Sequence, residues 1–107
     1  MSLTAEEIAF ATELFSGLDA ITTRRMMGGL CLYQDGTIFA MVHTELGILI
    51  KAAPGFVPEL QAAGCTQWTY TRDSGKTSSM PYWSLPEGAE DDPDLACDWA
   101  RRALAHL

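Results

Sequence analysis

Two apolar runs separated by a Gln-Asp-Gly turn constrain the fold of this chain more than any other stretch. The runs are Leu30 to Tyr33 and Thr37 to His43, and Asp-Gly supplies the positive φ that a tight β-hairpin turn needs. Alternation divides the second run into two opposite sets, Ile38, Ala40 and Val42 against Phe39, Met41 and His43. Because neither set is polar, we expect helices to cover one face of the sheet and a partner or loop to cover part of the other.

The remaining segments predict one more strand, a second hairpin and three helices. A capping box at Thr4-Ala5-Glu6-Glu7 starts the first helix, and an Asp92-Pro93 cap starts the last. Between them we expect a strand at 47–51, a helix at 54–63, and a hairpin of strands 67–71 and 77–85. Pro81 in that last strand predicts a sheet edge or a bulge. The order α-β-β-β-α-β-β-α is typical of an α+β domain with helices on an antiparallel sheet.

Size and charge limit the classes of function. The 107 residues allow a single domain, 1–107, and no apolar run is long enough to span a membrane, so we expect a cytoplasmic protein. Seven basic and fourteen acidic side chains give a net charge of −7, which makes direct nucleic-acid binding unlikely. A basic patch would require Arg24-Arg25 and Arg101-Arg102 to converge in space.

A short motif between the first helix and the hairpin resembles a known family. Arg25-Met26-Met27-Gly28-Gly29, followed by Leu32-Tyr33-Gln34-Asp35-Gly36, is similar to the Arg-Met-Phe-Gly-Gly signature of the TfoX N-terminal domain of TfoX/Sxy competence regulators. Later landmarks extend the resemblance over nearly the whole chain: Tyr70, Ser79, Tyr82, Pro86 and Trp99-Ala100. The chain departs from the pattern at Met27, where the signature has Phe, and at Trp83, where Tyr is usual.

The resemblance implies both a fold and a function. The fold would be a two-layer sandwich with a five-stranded antiparallel sheet, related to secretion-chaperone-like domains. The function would be regulation of DNA transformation competence and of transcription, with transcription machinery such as a cAMP receptor protein as the partner. Family members also carry a C-terminal helical domain that has no counterpart in these 107 residues, so we expect a stand-alone N-terminal domain.

No residue pattern indicates catalysis, a cofactor or a metal. Cys31, Cys65 and Cys97 are far apart in sequence, and His43 has no recognisable nucleophile or orienting acid at a supporting spacing. The acids at 87–94 lack the order of a calcium loop and fit a helix cap better. Trp68, Tyr70, Tyr82 and Trp83 resemble an aromatic stacking platform, but core or partner packing is the stronger interpretation.

The candidate interaction surface is the signature itself, because arginine and methionine are enriched at interface cores. Its residues are Arg24, Arg25, Met26, Met27, Gly28 and Gly29. The alternative to an interaction surface is a structural role, in which one of the two arginines forms an ion pair with a nearby acid. We therefore predict a non-enzymatic regulatory module that works through protein contacts, with a homodimer expected. The alternative is a homodimeric, chaperone-like module that binds a small ligand or a peptide.

Overall fold

The computed structural model describes residues 3–26 and 28–107, and there the chain is an α+β domain. In chain order the elements are α1 (Ala5–Leu14), β1 (Ile21–Met26), β2 (Gly29–Gln34), β3 (Thr37–His43), β4 (Gly47–Lys51), α2 (Val57–Ala62), β5 (Gln67–Thr71), β6 (Thr77–Ser84), a 3-10 turn (Ala89–Asp91) and α3 (Pro93–Leu104). All neighbouring strands pair antiparallel, in the order β1-β2-β3-β4-β6-β5. The predicted fold class is confirmed, but the sheet has six strands instead of five.

The additional strand is β1, between the first helix and the hairpin, where the sequence pattern predicted no strand. Ile21, Thr22 and Thr23 are β-branched, and residues of this kind favour strands. The adjacent arginines concealed that signal, because a charged pair is unexpected in a buried strand. β1 is a sheet edge with five of its six residues exposed, where two arginines reach water without cost.

A register shift between β2 and β3 changes which side chains share a face. Leu32 pairs with Ala40 and Tyr33 with Ile38, so Phe39 is the additional residue of a β-bulge. Phe39 therefore points toward the helices, where its ring meets Phe15 edge-on at 5.3 Å. The prediction that Phe39 shares a face with Met41 and His43 is wrong for this reason, because strict alternation does not hold across a bulge.

The helices lie together on one face of the sheet, which we call the covered face. Thr4 caps α1 through the predicted capping box, and the Asp92 carboxylate accepts the backbone N–H groups of Asp94 and Leu95 at the start of α3. Phe56, just before α2, packs near the Trp99 ring of α3 at 6.0 Å. The largest fully buried side chains are Phe15, Phe39, Phe56, Leu32, Ile50 and Leu60. This layer contains the hydrophobic core.

The opposite side of the sheet, which we call the open face, has no helix packed on it in the described residues. Cys31, Met41, Leu49 and Ser84 occupy successive positions across four paired strands there. Pro81 lies where β6 bulges against β5, which agrees with the predicted bulge, although β6 is an inner strand.

None of the described helices is long and apolar enough to cross a membrane.

A candidate docking groove on the open face

The open face contains a groove that ends near the hairpin turn between β3 and β4. Its volume is about 360 Å³, within the range of ligand-binding clefts. The lining side chains come from five strands and one turn: Met26, Gly29, Cys31, Met41, His43, Thr44, Trp68, Met80 and Tyr82. Three thioethers and two large aromatic rings give an apolar wall that can adapt its shape to a bound group.

The pairing of β1 with β2 separates the two arginines of the signature. Arg24 lies opposite Cys31 and therefore projects from the open face, whereas Arg25 lies opposite the core residue Leu30 and projects from the other side. Met26 follows Arg24 on the open face and lines the groove with 46% of its surface exposed. The candidate surface is thus divided between two faces, and Met27 lies outside the described residues.

The two glycines of the signature have different structural roles. Gly28 has φ of 84°, a left-handed conformation that favours glycine in the turn before β2. Gly29 is buried, and a Cβ added there would lie 2.7 Å from the Val42 carbonyl oxygen. Close approach of β2 to β3 therefore requires glycine at position 29 and brings Met26 and Met41 to the same groove.

His43 is fixed by the turn that follows it. Its Nδ1 accepts backbone N–H groups from Glu45 at 3.0 Å and from Leu46 at 3.1 Å. In the neutral ring the proton then lies on Nε2. The ring packs edge-on against Trp68 at a centroid distance of 4.8 Å, so His43 is a rigid part of the groove wall.

Cys31 and His43 line the same groove, but their geometry does not match a cysteine–histidine nucleophile. Within the described residues no hydrogen bond joins them, and Nδ1 of His43 is occupied by the turn. Burial raises the pKa of the Cys31 thiol, and the nearby Arg24 lowers it by less. An activated cysteine has a lowered pKa, so this thiol resembles a packed side chain. The groove is better suited to binding than to covalent chemistry.

The predicted aromatic platform separates into two groups. Trp68 lies 6.5 Å from Tyr70 and 6.3 Å from Tyr82 between ring centroids, on the open face. Trp83 faces the core instead, and its buried Nε1–H has no hydrogen-bond partner among the residues that the structure describes. The pKa of Tyr82 is raised, mainly by burial and to a smaller extent by Cys31 and Tyr33. Its hydroxyl therefore stays protonated at neutral pH.

The two basic pairs do not converge. Arg24 and Arg25 lie on the edge strand β1, whereas Arg101 and Arg102 lie on α3 in the helical layer. Arg102 binds Glu59 at 2.6 Å and stacks over the Trp99 ring at 4.1 Å, and Arg101 donates to the Gly17 carbonyl. Arg24 therefore projects from the opposite side of the sheet to the helical layer that holds Arg101 and Arg102, so the four arginines do not form one basic surface.

The described residues contain no group of three or more His, Cys, Asp or Glu side chains placed to hold a metal ion. The acids at 87–94 surround the start of α3, where Asp92 caps the helix. Cys65 and Cys97 are free thiols that pack with or against the core. Cys97 donates a hydrogen bond to the Leu14 carbonyl, which links α3 to α1.

The sequence matches the family model of the TfoX N-terminal domain over residues 13–107. The chain belongs to the TfoX N-terminal domain family. Compared with curated proteins, the sequence has no match. The matched range contains all six described strands and therefore the whole groove of this TfoX N-terminal domain.

Most groove residues were missed as a site from the sequence alone. Met41 is far along the chain from Met80 and Tyr82, and only the strand order brings β3 and β6 to the same groove. One sequence feature that indicated the site was the apolar second face of β3, which predicted that a partner or loop covers part of that side of the sheet. The alternation of Trp68 and Tyr70 in an edge strand was another.

Proposed function

We propose that this TfoX N-terminal domain is a cytoplasmic, non-enzymatic regulatory module that binds a protein partner through its open face. The observation that carries the proposal is the apolar groove on a sheet whose other face is already covered by helices. Exposed apolar patches of this kind mark interaction sites in soluble proteins. Met26 and Tyr70 are 46% and 40% exposed on this face, which makes them accessible to a partner.

The output that we propose is regulation of transcription during DNA transformation competence. Membership of the family supports a TfoX-like regulatory domain. The partner that we propose is a component of the transcription machinery, such as a cAMP receptor protein. A binding module fits the groove better than an enzyme does, because Cys31 has a raised pKa and His43 Nδ1 is occupied.

A matched pair of variants in the native cell tests this proposal. Met26→Glu/Tyr70→Glu places two charges on the open face, and Phe10→Glu places one on α1, where Phe10 is 50% exposed. We expect the first variant to weaken partner binding about tenfold, which is about 1.4 kcal/mol, and to lower transcripts of competence genes accordingly. Phe10→Glu should leave transcripts unchanged. Equal transcript levels in both variants, at equal protein abundance, would contradict a role for the open face.

Turnover by the purified protein would contradict the non-enzymatic part of the proposal. The decisive result would be a substrate consumed by the purified domain but not by a Cys31→Ser or His43→Gln variant.

The groove volume supports a second candidate, a homodimeric module that holds a small ligand or a peptide. A cleft of about 360 Å³ is large enough for a small molecule. Thermal unfolding with a panel of metabolites tests the ligand, and sedimentation equilibrium tests the dimer. A monomer at high concentration with no thermal shift would eliminate this candidate.

A further inference from the structure

Acidic and basic side chains are segregated in this fold. All fourteen aspartates and glutamates lie in helices, turns or loops, and none lies in a strand of the described chain. The strands carry Arg24, Arg25 and Lys51. The acidic side chains that give the net charge of −7 therefore lie in helices, turns and loops, and the only charged residues of the described strands are basic.

Three cations lie on the open face or beside its aromatic residues. Arg24 lies opposite Cys31, and Lys51 lies opposite Tyr82, so both project on the groove side. The Arg72 guanidinium lies 6.0 Å from the centre of the Tyr70 ring. Among the described residues none of these three cations forms an ion pair, whereas Arg102 in the helical layer binds both Glu59 and Asp98. The open face thus presents an apolar groove with unpaired positive charge at its rim.

We propose that the groove binds an acidic peptide segment of a partner protein, with an apolar side chain anchored against Trp68, Tyr82 and Met41. The carboxylates of the segment meet Arg24, Lys51 and Arg72. This inference rests on the proposed function and adds the chemical class of the partner. Charge complementarity of this kind selects partners and speeds association.

The spacing of the cations favours a peptide over a small anion. Arg24 is on β1 and Lys51 is on β4, three strand intervals away. At about 4.8 Å per interval the two positions are about 14 Å apart, measured along the sheet. An extended peptide covers that distance in about four residues, so one segment can reach both cations while an anchor between them enters the groove.

Two other occupants fit the open face less well. A second copy bound face to face would bring two faces with the same three cations together, because a two-fold interface uses the same patch on both subunits. A single-stranded nucleic acid needs free ring faces for stacking. Trp68 instead packs against His43 and Tyr82 at interplanar angles of 69° and 50°, and the net charge of −7 repels phosphate.

Selection from a random peptide library displayed on phage, with the intact domain as bait, tests the proposal directly. We expect the selected peptides to combine Asp and Glu with a Leu, Phe or Trp anchor, and to be lost with a Met26→Glu/Tyr70→Glu bait. Neutral or basic peptides, or no enrichment over the variant bait, would overturn the proposal.

A selected peptide, labelled with fluorescein, then measures the role of charge by anisotropy. Arg24→Glu and Lys51→Glu should each weaken binding about tenfold. Arg25→Glu is the matched control, because Arg25 neighbours Arg24 on the opposite side of β1. Equal losses for Arg24→Glu and Arg25→Glu would overturn the assignment to the open face.

Further experimental outcomes distinguish a failure of the acidic-peptide inference from a failure of the proposed regulatory function. Tighter binding of labelled oligothymidylate than of the peptide, or a face-to-face dimer in sedimentation equilibrium that Arg24→Glu strengthens, would overturn the acidic-peptide assignment. If competence transcripts fall in the Met26→Glu/Tyr70→Glu cells while no acidic peptide is selected, the open face still acts and only the partner class is wrong. If acidic peptides bind but transcripts do not change, the regulatory proposal fails instead.

Discussion

The two faces of the sheet use similar side chains for different purposes. On the covered face Phe39 is fully buried and meets Phe15 edge-on, so its area is removed from water within the chain. On the open face Tyr70 remains 40% exposed, and Trp68 and Tyr82 are half-buried. Aromatic side chains on one face complete the core, and those on the other remain accessible to a partner.

Charge distinguishes the two sides as clearly as packing does. In the helical layer Arg102 is held by Glu59 and lies over the Trp99 ring. Arg24, on the open face, has no acid within ion-pair distance among the described residues. Arg102 in the helical layer is therefore neutralised within the chain, whereas Arg24 on the open face is left for another molecule.

Replacing one aromatic residue on each face should give the largest difference. Phe39→Ala removes a fully buried ring, and we expect a loss of about 3–5 kcal/mol in the free energy of unfolding. Tyr70→Ala should change it by no more than about 0.5 kcal/mol, because the ring is exposed. Urea unfolding monitored by circular dichroism measures both. A loss of several kcal/mol for Tyr70→Ala would mean that the open face contributes to the core.

A smaller loss in the free energy of unfolding is expected at Gly29, where β2 lies close to β3. Gly29→Ala brings a Cβ within 2.7 Å of the Val42 carbonyl oxygen, so the strands must separate, at a cost of about 1–3 kcal/mol. The control is Gly55→Ala, whose Cβ would meet only the movable His106 ring at 3.3 Å, and we expect a change within about 0.5 kcal/mol. Unfolding midpoints compare the two. Similar costs at both positions would contradict the steric role of Gly29.

Local patterns predicted the elements of this fold better than its faces. The capping box at Thr4, the Asp92-Pro93 cap and the hairpin at Asp35-Gly36 depend on neighbouring residues, and the structure contains each of them. β1 was missed because Arg24-Arg25 interrupted its β-branched pattern. The Phe39 bulge could not be predicted, since it depends on the pairing register with β2.

The candidate site was predicted only where it follows the signature. Met26 and Gly29 do line the groove, but Arg25 projects from the opposite side and Met27 lies outside the described residues. The site also contains Trp68, Met80 and Tyr82, because β6 pairs with β4 and β5 pairs with β6 at the edge of the sheet. Long-range strand order decides that juxtaposition, and no local spacing encodes it.

Replacing the paired Arg102 should lower the free energy of unfolding modestly more than replacing the unpaired Arg24. Arg102→Ala removes an exposed ion pair and the contact with the Trp99 ring, and we expect a loss of about 1 kcal/mol. Arg24→Ala should have an effect close to zero, since no described acid pairs with it. Unfolding in low and high salt measures the difference, which should shrink as salt screens the Arg102 pair. A larger loss for Arg24→Ala would reveal an intramolecular partner for that arginine.

The smallest expected effect concerns the ionisation of Cys31. Burial raises the pKa of this thiol in the folded protein and Arg24 partly offsets the rise, so Arg24→Gln should raise the pKa further. Arg25→Gln, on the opposite side of β1, should leave it unchanged. The rate of Cys31 alkylation against pH, followed by peptide mass spectrometry, measures the pKa in both variants and in urea. Because the thiol ionises at lower pH when unfolded, its contribution to stability should be complete below the unfolded pKa and be lost as pH rises through the folded pKa. An unchanged Cys31 pKa in Arg24→Gln would place the Arg24 charge away from the groove and remove one of the three cations on which the acidic partner depends.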